Sequence, residues 1–94
     1  LNHANTLTVG TMTLTNTPKN GLRLYNNSAN PTVTIGTLIT KNCAEYGVAA
    51  QKAITNSNLN ITLLQYFNCG ASKNNQVIHS NIKSGIGSQE ALME

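Results

Sequence analysis

The chain has no tryptophan and no aspartate; charged side chains make up 10% of it and aromatics 4%. Its three carboxylates are all Glu, two of them at Glu90 and Glu94. No pair of carboxylates is available for acid–base work, and no Asp can orient a histidine, so an enzyme is not expected. His3 and His79 stand alone, without metal-ligand spacing, and no metal or cofactor is expected. Cys43 and Cys69 are too far apart for a CxxC redox motif. The six basic residues, Lys19, Arg23, Lys41, Lys52, Lys73 and Lys83, form no run, which leaves nucleic acid without an electrostatic footprint. No apolar run approaches the roughly 18 residues of a membrane span.

What is abundant is Asn and Thr, so solubility rests on amides and hydroxyls rather than charge. That composition points to a secreted, periplasmic or extracellular setting. A chain that begins at Leu1 fits removal of a signal peptide and fits an excised piece equally well. In such a setting Cys43 and Cys69 are expected to form a disulfide, closing a loop of about 27 residues worth roughly 3 to 4 kcal/mol. Two buried free thiols are the alternative.

Along the chain, Leu7 and Val9 alternate with Thr, and Met12 and Leu14 continue on the opposite parity. Residues 6 to 15 therefore read as one strand with a bulge or bend near Gly10. Asn20-Gly21 between alternating runs predicts a hairpin into a strand from Leu22 to Asn26. After the Asn26–Pro31 turn cluster a third strand follows, with Val33, Ile35 and Ile39 on one face, completing a meander. Asn42 and Glu45 match a capping box, and Tyr46, Ala49, Ala50, Ala53 and Ile54 lie on one helical stripe, which predicts a helix from 43 to about 55. Leu59, Ile61, Leu63 and Phe67 then alternate into a fourth strand. A polar loop over 70 to 75 leads to a fifth strand over about 76 to 82. Residues 1–83 form a single β-rich domain, and 84–94 form a polar tail with a helical turn at Gln89 to Met93. No internal repeat of solenoid period stands out.

Three strands, a helix and two strands is the element order of a small OB-fold-like barrel (β-β-β-α-β-β), mainly β with one helix. An immunoglobulin-like β-sandwich is the alternative.

The run VAAQKAITNSNLNITLLQYFNCGASKNNQVIHSNI, within residues 43–82, resembles the second half of the B subunits of bacterial five-subunit toxins, of the cholera, heat-labile enterotoxin, pertussis and subtilase kind. The resemblance implies a secreted OB-fold that assembles as a homo-oligomer, a pentamer, binds a cell-surface glycan and carries a separate catalytic subunit. In the cholera-like members the loop after the strand-end cysteine supplies Asn and Lys to the sugar. Here the matching positions are Ser72, Lys73, Asn74 and Asn75. A different reading takes the Thr-rich first strand as a donated strand, making the chain a pilus, filament or adhesin β-domain that assembles by strand exchange.

Overall fold

Thr alternating with Leu, Val and Met builds the first strand, β1 (Thr6–Thr15), of the computed structural model, which describes residues 6–24, 32–50, 59–79, 82 and 85–93. It is followed by β2 (Leu22–Leu24), β3 (Thr32–Cys43), β4 (Val48–Ala50), β5 (Leu59–Cys69) and β6 (Ile86–Ala91). The long strands form one sheet in the order β1-β3-β5-β6, and β2 pairs with β4 in a second. Every pairing is parallel. Leu7 lies beside Val33, Val33 beside Leu59, and Leu22 beside Val48, each a shift of 26 residues, and Ile61 lies beside Ile86, a shift of 25. The chain is a parallel β-solenoid in which each coil covers the one before it.

Among the described residues two corners recur from coil to coil. At the first, Gly10 and Thr11 both face outward although the strand is continuous, and the same break recurs at Gly36–Thr37 and Thr62–Leu63. Inward-facing residues therefore change parity there: Val33 and Ile35 point in before the corner, Leu38 and Thr40 after it. Glycine stands at this corner in the first two coils and Thr62 in the third. A Cβ on Gly36 would lie 2.7 Å from the Gly10 carbonyl oxygen.

At the second corner stand Asn16, Asn42 and Asn68, with φ of 56°, 56° and 53°. Asn tolerates this left-handed conformation better than other side-chain-bearing residues. The amides also stack: Nδ2 of Asn42 donates to Oδ1 of Asn16 at 3.0 Å, and Nδ2 of Asn68 to Oδ1 of Asn42 at 3.0 Å. Inside the coils, Leu24, Ile35, Leu38, Val48, Ile61, Leu64 and Ile82 are fully buried. Burial of each such side chain stabilises the fold by about 1.5–3 kcal/mol.

A mainly β chain was expected, but the arrangement differs from an OB barrel or an immunoglobulin-like sandwich, whose neighbouring strands run largely antiparallel. The expected helix is not formed over 43–50, where Val48–Ala50 is a buried strand; residues 51–55 of that expectation lie outside the described residues. A 3-10 turn stands at Ala71–Lys73, and Ile82 and Gly85 are also in 3-10 conformation. Asn42 does not cap a helix because its side chain is engaged by Asn16 and Asn68, and the Glu45 N–H donates to the Lys19 carbonyl of the coil below. Asn20-Gly21 is not a hairpin: β1 and β2 do not pair, and Asn20 Oδ1 instead accepts from the Tyr46 N–H at 3.1 Å. Over 76–79 the expected fifth strand reduces to a bridge between Ile78 and Val48, and residues 80 and 81 of that expectation lie outside the described residues. The expected tail contributes β6, a strand paired with β5 rather than a helical turn.

Candidate functional site

The coils keep a 26-residue step until the third, which gains residues between Asn68 and Ile78 and loses them between Ile78 and Ile86. From Asn42 to Val48 is six residues, whereas from Asn68 to Ile78, the partner of Val48, is ten. The four extra residues form a loop just past Cys69. Gly70, with φ 89°, turns the chain out of the coil, and the Gly70 carbonyl accepts from the N–H groups of Lys73 and Asn75 at 2.9 and 2.8 Å. Asn74 and Asn75 are both left-handed, with φ of 56° and 61°. Ser72 fastens the loop to the coil below, its Oγ donating to the Ala44 carbonyl at 2.7 Å and its N–H to the same oxygen at 3.1 Å.

This loop carries all four residues singled out from the sequence, Ser72, Lys73, Asn74 and Asn75. Ser72, Asn74 and Asn75 are exposed and Lys73 is half-buried. Beside them the stacking brings residues that sequence reasoning did not connect. Lys73 Nζ lies 3.7 Å from Glu45 Oε1 and 5.9 Å from the centre of the Tyr46 ring. The Tyr46 ring meets His79 edge to face, with centroids 5.1 Å apart and planes at 82°. Glu45 and Tyr46 belong to the second coil, Lys73 and His79 to the third. Once Asn42 and Asn68 are recognised as equivalent corners, Tyr46 falls next to the loop; that spacing was the signal available in the sequence.

The Lys73–Glu45 pair is solvated on both sides, so its worth is at most about 1 kcal/mol. Its effect is positional: it holds a cation over the Tyr46 ring, while His79 supports the ring from the side. The cluster thus brings together an aromatic ring, a cation and a carboxylate, with the exposed Asn74 and Asn75 next along the loop from Lys73. Among the described residues no group of three His, Cys, Asp or Glu could hold a metal ion, and no helix is long and apolar enough to cross a membrane.

Cys43 and Cys69 are neighbours in register on β3 and β5, buried, with a near contact of 3.1 Å, and both are free thiols rather than the expected disulfide. Burial pushes the Cys43 thiol up from 9.0 to about 11, and the Thr17 hydroxyl beside it holds part of that rise back. The Cys69 thiol donates to the Phe67 carbonyl at 3.5 Å and lies 3.7 Å from the buried Thr40 Oγ1. A depression of about 250 Å³ lined by Thr17, Asn42, Cys43, Ala44, Asn68 and Ala71 opens above them. A buried thiol with its pKa raised, as at Cys43, is inert as a nucleophile. No protein family, curated protein or solved structure matches the chain.

Proposed function

We propose that the chain is an extracytoplasmic, non-enzymatic module that binds a glycan through the patch formed by Tyr46, Glu45, Lys73, Asn74 and Asn75. The observation that carries this reading is the four-residue insertion after Asn68, which sets a polar loop beside an aromatic ring. A pyranose offers an apolar face of C–H groups and a rim of hydroxyls. Tyr46 supplies a surface for the face, and the Lys73 ammonium, the Glu45 carboxylate and the Asn amides supply donors and acceptors for the rim. Binding residues are commonly carried on loops held by a rigid scaffold, and the stacked coils are such a scaffold.

The resemblance to the toxin B subunits drew attention to this loop, and the geometry around Tyr46 is what supports glycan recognition there. Its barrel and five-fold ring call for antiparallel neighbours, so the present reading rests on the solenoid and does not require a catalytic partner. The test is a glycan array followed by calorimetry on the best binder. Tyr46→Ala and Lys73→Ala should each weaken binding at least tenfold while leaving the β-sheet circular dichroism unchanged. Binding that survives both substitutions, or an array without a binder, would sink the proposal.

A further inference from the structure

The glycan patch makes no use of the two thiols at the foot of its loop. Cys43 and Cys69 are register partners on neighbouring parallel strands, 1% and 9% exposed, and their side chains are in near contact at 3.1 Å. The depression of about 250 Å³ reaches Cys43 from outside, between Asn42, Asn68 and Ala71. A water occupies roughly 30 Å³, so a hydrated ion can enter this space and shed its shell there.

Two chemistries join a pair of thiols, a sulfur–sulfur bond and a shared metal ion, and the strand spacing chooses between them. Neighbouring strands lie about 4.7–4.9 Å apart, and in-register parallel partners send their side chains the same way, so the two Cβ atoms stand at about that separation. A disulfide prefers Cβ atoms about 3.8 Å apart and draws its sulfurs to about 2.05 Å. Closing one here would pull together two coils that the backbone ladder holds apart. An ion with two ligands asks for the opposite. With metal–sulfur bonds of about 2.3 Å, a linear S–metal–S bridge spans about 4.6 Å, which is the spacing of the strands themselves.

The donor set narrows the ion. Thiolates are soft and select soft cations. The other polar atoms near these sulfurs are oxygens: the carbonyls of Thr40, Lys41 and Phe67 at 3.5–3.8 Å and the Thr40 hydroxyl at 3.7 Å. Among the described residues no third His, Cys, Asp or Glu joins the pair. Zinc, which takes four ligands, is therefore poorly served, whereas a soft cation satisfied by two is fully served. On binding, two S–H bonds give way to two sulfur–metal bonds, two protons leave for solvent and no electron is transferred. With a divalent cation the buried group ends without net charge, which avoids the cost of burying a thiolate alone.

We propose that Cys43 and Cys69 form a binding site for a soft divalent cation of mercury(II) type, held linearly between the second and third coils. The test uses the native chain, mercury(II) chloride and an excess of a competing monothiol, which strips an ion held by one sulfur and leaves one held by two. Native mass spectrometry should show one mercury per chain with two protons lost, and X-ray absorption should show two sulfur neighbours and no nitrogen or oxygen. One equivalent should raise the urea midpoint, since the ion ties two coils of the folded chain together. Cys43→Ser and Cys69→Ser should each lose affinity by roughly a hundredfold or more, the share a second arm adds to a chelate, with the sheet circular dichroism unchanged. Zinc(II) at the same concentration should not be retained. Two mercury ions per chain, oxygen or nitrogen in the wild-type absorption spectrum, retention by either serine variant, or zinc held as tightly as mercury would each overturn the proposal. So would an unchanged urea midpoint. The wild-type stoichiometry and spectrum decide the matter even where a serine variant does not fold, and none of these readouts depends on glycan binding.

Discussion

The clearest chemistry at the scale of single residues is the Cys43 thiol, and it is chemistry of restraint. Its folded value of about 11 lies above the ordinary 9.0 because the thiolate would be buried beside Cys69 among apolar neighbours. A group whose folded value is raised binds its proton more tightly in the native chain. Its contribution to stability is therefore fully present below pH 9 and is lost as pH rises through about 11. Urea midpoints measured from pH 8 to pH 11 should fall more steeply for the wild-type chain than for Cys43→Ala, in which this proton is absent. Equal slopes would show that the thiol does not titrate differently on folding.

Among the structural elements, the asparagine corner decides more than any strand. Asn42 holds a left-handed backbone and takes part in both ladder bonds, as donor to Asn16 and acceptor from Asn68. Asn42→Ala forfeits the bonds and strains the backbone, with an expected cost of about 2 kcal/mol given the exposed setting of the amides. Asn42→Gly relieves the strain and should cost about half of that, so chemical denaturation of the pair separates ladder from conformation; an Ala variant as stable as Gly would remove the argument. The same corner explains what could be read in the sequence. Thr alternation in β1 and the parity change at Gly10 were legible because both are local. The helix expected from Asn42 and Glu45 was a local pattern too, but the groups that would have capped it bond to residues 26 positions away. The repeat itself is written in Asn16, Asn42 and Asn68, in Gly10 and Gly36, in Gly21 and Gly47, and in Cys43 and Cys69. Its third coil is interrupted by the loop insertion, and the residues between these markers vary freely as long as inward positions stay apolar. Of the candidate site, the loop residues Ser72 to Asn75 were readable as a polar turn after Cys69; Tyr46, Glu45 and His79 were not, because only stacking brings them there.

For the whole molecule, a solenoid makes stability a property of neighbouring coils rather than of one central core. Leu7 and Leu59 test this with one residue type in one column, each two coils apart along the line Leu7–Val33–Leu59. Leu59 is 1% exposed, with β3 on one side and the turn at Gly85 on the other, where a Cβ would come within 2.6 Å of the Leu59 carbonyl. Leu7 has a coil on one side only in the single chain. Leu59→Ala should therefore cost about 3 kcal/mol, as expected for a fully enclosed leucine, and Leu7→Ala about 1 kcal/mol when measured on dilute, monomeric protein. Chemical denaturation of the two variants side by side measures the difference between an enclosed coil and a coil end. Equal costs for Leu7→Ala and Leu59→Ala would contradict the graded solenoid.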